Sequence, residues 1–174
     1  MKMKTFLTTF VLLLWLTMTT KAQTSYSGRI ETGYMNYLSR TITVDPGPNW
    51  KGYNLDNRQN GFNFTSINGV TFQDRKIFTG IGLGYLNFDG IAGVAIFGDL
   101  EYLPFKKRLT PMLNLRLGYN HIWNQYEGGT GTMLTEFGLG INYKIKENFG
   151  LYIKSGIMIT QHSFLLPLTL GFRY

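Results

Sequence analysis

The chain has 174 residues and no cysteine; 16% of it is aromatic and 21 of its residues are glycine. That length suits one domain, the lack of cysteine excludes a disulfide-held scaffold, and the richness in strand and turn formers argues against a helical fold. The formal charge of +7 would suit a nucleic-acid partner, but part of it sits in a segment that the mature protein is expected to lose.

That segment opens the chain. Lys2 and Lys4 precede an apolar run from Phe6 to Met18, and Thr20-Lys21-Ala22 puts small residues at the two positions a signal peptidase reads. This is the layout of a secretory signal peptide. A membrane anchor would need a longer run to cross about 30 Å of hydrocarbon as a helix. Cleavage is expected between Ala22 and Gln23, giving a signal peptide over 1–22 and one folded domain over 23–174. Losing Lys2, Lys4 and Lys21 lowers the formal charge from +7 to +4, and no nucleic-acid partner is expected.

The remaining chain reads as eight strands by period-2 alternation. The first covers roughly Ser27 to Leu38, and a long polar segment over 39–60 with Pro46, Gly47 and Pro48 follows it. Gly61 to Phe72 is the second strand. Ile77 to Tyr85 sets Ile77, Ile81, Leu83 and Tyr85 against Gly80, Gly82 and Gly84, and Asp89-Gly90 is a tight-turn signal. Ala92 to Tyr102 alternates Val94, Ile96, Leu100 and Tyr102 with Gly93, Ala95, Asp99 and Glu101. A short link at Lys106 to Thr110 leads to Met112–Trp123, where Leu113, Leu115, Leu117, Tyr119 and Trp123 oppose Asn114, Arg116, Gly118 and Asn120. Asn124 to Gly131 is a Gly-rich connection. Met133–Ile145 and Phe149–Gln161 repeat the pattern around a short turn at 146–148. After a brief link near His162, Phe164, Leu166, Leu168, Leu170, Phe172 and Tyr174 oppose Thr169, Gly171 and Arg173.

Soluble sheets alternate too, but they turn the apolar face inward. Here the polar face holds glycine and single charges of both signs, a thin set for a water-exposed surface. The apolar face runs nearly unbroken for about ten residues per strand, the span a tilted transmembrane strand requires. The expected fold is therefore all-β: an eight-stranded antiparallel up-and-down transmembrane barrel with a filled polar lumen, since eight strands leave room only for side chains. The glycines at 80, 82, 84, 138 and 140 would make room there for Phe97, Tyr152 and the arginines. Arg29, Glu31, Asp99, Glu101, Arg116, Glu136, Lys144, Lys154 and Arg173 are the expected lumenal charges, a near-balanced set as a low-dielectric interior demands. Aromatics gather at strand ends as interfacial girdles: Tyr102, Tyr143, Phe149 and Tyr174 at one rim, Tyr37, Tyr85 and Trp123 at the other.

The final residues, Leu168-Thr169-Leu170-Gly171-Phe172-Arg173-Tyr174, alternate back from a terminal aromatic. This resembles the C-terminal strand signature by which the barrel-assembly machinery recognises outer-membrane proteins, with Leu168, Leu170, Phe172 and Tyr174 as its apolar positions. The chain before it resembles the eight-stranded outer-membrane β-barrel domain proteins, OmpA/OmpX-like in size. That resemblance implies an outer-membrane location, lipid and the assembly machinery as partners, a monomer, and neither enzyme activity nor a cofactor.

A search for chemistry agrees. Gly80-x-Gly82-x-Gly84 lies within a strand, so it is not a dinucleotide loop, which needs a strand, glycines at other spacing and then a helix. Asp99 and Glu101 share a face and could form an acid–base pair, but they are more simply partners for Arg116. His121 and His162 have no other ligand at metal spacing, and Ser163 beside His162 points to the opposite face. The outer-membrane lipid A deacylases place a serine two residues after a catalytic histidine, where this chain has Trp123. Lys106-Lys107-Arg108, Arg75-Lys76 and Lys144/Lys146 put cations at three short turns, which can be read as contacts to anionic headgroups or as ordinary solvated turns.

These features predict a non-enzymatic integral outer-membrane protein with a structural role or a surface-interaction role carried by loop 39–60, where a surface ligand would bind. Two alternatives stand beside it: an exported soluble lipocalin-like barrel holding a small apolar ligand, and an outer-membrane lipid-modifying enzyme.

Overall fold

A computed structural model describes residues 24–41, 47–50, 52–56, 59–73, 75–146 and 149–174. The signal segment and its cleavage position lie outside the described residues. Eight strands follow in chain order: β1 Ser25–Arg40, β2 Gly61–Phe72, β3 Ile77–Phe88, β4 Ile91–Tyr102, β5 Leu109–Ile122, β6 Thr130–Lys144, β7 Gly150–Thr160 and β8 Ser163–Arg173. Each pairs antiparallel with the next, and β8 returns to β1 to close the barrel. Closure leaves no unpaired strand edge, a condition for strands to lie in lipid. Gly28 and Tyr174 complete the seam by exchanging backbone hydrogen bonds of 2.8 and 2.9 Å.

Local chemistry sets the connections. Asp89 and Gly90 both adopt positive φ, 51° and 90°, the requirement of a two-residue hairpin turn whose twist matches its strands. Gln161 and His162 form the β7–β8 turn at φ 46° and 50° without a glycine, which places mild backbone strain there. The β1–β2 loop, these two tight turns and the β5–β6 connection lie at one end of the barrel, called the loop end here. The three turns β2–β3, β4–β5 and β6–β7 lie at the other, the turn end.

The barrel is inside out relative to a soluble one. Among the described residues, 36 large hydrophobic side chains are exposed and form a continuous outer belt, including Ile81, Leu117, Phe137, Leu139 and Leu170. A monomer in water rarely exposes an apolar patch beyond a few hundred Å². Arg29, Glu31, Asp99, Glu101, Arg116, Glu136 and Lys154, by contrast, are each at most 2% exposed inside. This is a transmembrane barrel.

The lumen is layered. Charged side chains fill its middle and turn-end half. At the loop end an apolar layer joins them: Met35, Leu86, Phe88, Ile122, Leu134, Met158 and Leu165 pack together, beside the buried, hydrogen-bonded Asn120, Thr160 and Gln161. Tyr37 belongs with them rather than with the outer girdle expected from the sequence. It shares parity with the inward Arg29, Glu31 and Met35, and it packs half-buried against this layer just before a bulge in the β1–β8 ladder. The outward aromatics of β1 are Tyr26 and Tyr34.

Candidate functional site

The midpoint of the barrel is set by register. Arg116 on β5 stands opposite Asp99 on β4 and Glu136 on β6. Its Nε donates to Asp99 Oδ2 at 2.6 Å, its NH2 to Glu31 Oε2 at 2.5 Å across the lumen, and its NH1 to Glu136 Oε2 at 3.4 Å. Arg29 reaches from β1 to the same wall, pairing with Asp99 and, at 2.6 Å, with Glu101 Oε2. Lys154 lies 2.9 Å from Glu136 and 3.6 Å from Glu31. Arg173 closes the turn end against Glu101.

Four cations thus meet four carboxylates, all interlinked. Lys144, the ninth charge expected in the lumen, is exposed. Its parity is inward, but it is the last residue of β6 and projects past Asn142, beyond the packed interior. Removing it makes the buried set neutral, which fits the several kcal/mol that each uncompensated buried ion costs.

Two neutral side chains complete the cluster and were visible in the sequence only as members of the polar face. Tyr152 donates its hydroxyl to Glu31 Oε1 at 2.5 Å. Asn114 donates to both oxygens of Asp99 and accepts from Lys154 Nζ at 2.6 Å. Rings supply the remaining walls: Phe78 stacks under the Arg29 guanidinium at 3.7 Å, and Phe97 lies 4.8 Å from that of Arg116. Such interlinked charges can brace a barrel.

The loop end is covered by the described part of the β1–β2 segment. Leu55 is fully buried in the apolar layer, and its N–H donates to Ser163 Oγ at 3.1 Å. Around this plug, Gln59 donates to the Tyr53 hydroxyl at 2.7 Å and Tyr126 donates to the Gly52 carbonyl at 3.4 Å. The Trp50 and His162 rings pack with centroids 5.5 Å apart. The described part of loop 39–60 therefore acts as a lid, a role no periodicity announces.

The histidines stay apart from other functional groups. His121 meets Trp123 edge-on at 5.3 Å, and among the described residues no cluster could hold a metal ion. In the last strand, Leu168, Leu170, Phe172 and Tyr174 face outward and are 36–58% exposed.

The turn end carries the cations of all three turns around a cavity of about 150 Å³.

Two solved structures share the architecture. The barrel matches that of Neisserial surface protein A with a TM-score of 0.64, covering 86% of this chain and 97% of that one at 12% identity. It matches the N-terminal β-barrel domain of Pseudomonas aeruginosa OprF with a TM-score of 0.52, covering 87% and 100% at 16% identity. At these identities the likeness is one of fold. No protein-family model and no curated protein matches the chain.

Proposed function

We propose that this chain, after loss of residues 1–22, is a non-enzymatic integral protein of the outer membrane. On this reading its sealed barrel serves as a rigid mount for the surface loop 39–60. The observation that carries it is the inverted distribution of side chains: a neutral, fully paired charge cluster inside and an apolar belt outside. Only a bilayer rewards that arrangement. The fold shared with two outer-membrane barrels supports the location.

The loop is the recognition element in this proposal because connections on a rigid scaffold usually carry binding. Leu55 fastens it over the mouth, so its tip around Pro48 and Asn49, both exposed, is held in a defined place. The outward apolar positions of β8, ending at Tyr174, suit recognition by the barrel-assembly machinery. Both termini then lie on the periplasmic side, with the loop end at the cell surface.

Fractionation with heat-modifiable migration tests this. The protein is expected in the outer-membrane fraction, and unboiled samples should run at a different apparent size from boiled ones in detergent gels. Recovery as a soluble exported protein with no boiling-dependent shift would favour the lipocalin-like alternative instead.

A further inference from the structure

We infer that the turn end holds a binding site for the phosphate of an anionic lipid headgroup in the adjoining leaflet. The inference rests on the transmembrane reading and adds a site and a ligand to it.

Charge is distributed unevenly along the barrel axis. The eight buried network charges cancel. The connections at the loop end, with Arg40 at the edge of β1, carry Arg40, Lys51 and Arg58 against four acids. Those at the turn end, with Lys144 at the edge of β6, carry seven cations against only Asp74 and Glu147. The whole positive balance of the mature chain therefore sits at one mouth.

These cations converge on a cavity. Seven of its thirteen lining residues are lysine or arginine, contributed by all three turns and by β8, and no carboxylate lines it among the described residues. A cavity lined by this many cations is a favourable place for an anion. Arg173 adds a Nε that is buried without a protein acceptor. At about 150 Å³ the cavity has room for several waters, and so for a phosphate group with some hydration.

The surroundings favour a lipid as the source of that phosphate. Phe105 and Phe149 line the cavity and are 54% and 43% exposed. Tyr143, with the Arg108 guanidinium 5.0 Å from its ring, lies on the outer wall beside it. Exposed aromatics at a strand end mark the headgroup level of a bilayer, so the cations stand where lipid phosphates lie and acyl chains continue along the belt.

The test reconstitutes the full mature chain in bilayers of phosphatidylglycerol and phosphatidylcholine, extracts it gently and counts the lipids retained by native mass spectrometry. The parallel variant is Lys107→Gln/Lys144→Gln/Lys146→Gln, which removes exposed charges and leaves the buried network intact. The wild type should retain phosphatidylglycerol preferentially and the triple variant should lose the preference, both keeping heat-modifiable migration. Equal retention of the two lipids by the wild type, or an undiminished preference in the variant, would overturn the inference. If inorganic phosphate added to the detergent-solubilised protein displaces the retained lipid, the site is one for soluble anions and the lipid assignment fails. A chain that never becomes heat-modifiable sinks the transmembrane reading itself, a different result from an inserted barrel without lipid preference.

Discussion

Arg116 and Asp99 face each other in register on neighbouring strands, joined by a 2.6 Å hydrogen bond at the centre of the barrel. Every other lumenal charge connects to this pair within three contacts. The sheet is thus braced across its diameter as well as around its circumference.

Removing one member should strand its partners. Arg116→Leu leaves Asp99, Glu31 and Glu136 short of a cation, an expected loss of about 3–5 kcal/mol. Its neighbour Leu115 stands in register with the outward Leu100 and Phe137, and Leu115→Arg should lose about 2–4 kcal/mol by bringing a charge near the bilayer midplane. Urea unfolding in lipid vesicles, followed by tryptophan fluorescence, measures both. A stable Leu115→Arg barrel would contradict the assignment of faces.

Lys154 and Glu136 should behave as a coupled pair. Lys154→Met and Glu136→Gln are each expected to destabilise, and the double variant should lose less than the sum, with a coupling of about 0.5–3 kcal/mol. Full additivity would mean that the 2.9 Å contact carries little energy.

Glycine substitutions should separate by position. A Cβ on Gly82 would clash with the Phe97 ring, and one on Gly171 with the Tyr152 ring, whereas on Gly138 its nearest neighbours are 3.6 Å away. Gly82→Ala and Gly171→Ala should therefore each lose about 1–3 kcal/mol by overpacking, with Gly138→Ala near neutral. The same unfolding assay ranks the three, and a Gly138→Ala barrel as unstable as the other two would refute this packing.

Leu55 should control the lid. Leu55→Ala removes a fully buried side chain, an expected loss of about 2–5 kcal/mol if the loop stays docked. Where undocking is easier, the loss appears locally as faster cleavage of loop 39–60 by added protease, with the barrel itself intact. Unchanged cleavage and stability would show that the plug does not hold the loop.

Much of this was legible in the sequence because a barrel strand writes its two environments into alternate residues. All eight strands follow from that pattern, with ends displaced by a few residues, as for Ser27–Leu38 against Ser25–Arg40. Parity also pointed Arg116 toward Asp99 and Glu136. It could not reveal Arg116 reaching Glu31, or Arg29 reaching Asp99, because those contacts cross the lumen between strands that are not neighbours. Lys144 escapes the pattern because parity fixes direction but not depth, and Tyr37 because an aromatic near a strand end resembles a girdle residue even where its parity points inward. Leu55 carried no signal, since a lone leucine in a polar loop becomes a plug only once the mouth beneath it is known to be apolar.

The charged face of each strand points in and the apolar face points out to lipid, and β5 offers the most direct test. The chain has no cysteine, so single cysteines from Leu113 to Tyr119 can each carry a nitroxide label in reconstituted bilayers. Spin relaxation by oxygen, which partitions into lipid, should peak at 113, 115, 117 and 119 and fall at 114, 116 and 118. The opposite phase, or accessibility of the odd positions to a water-soluble nickel chelate, would place the leucines inside or in water and contradict a membrane-spanning barrel.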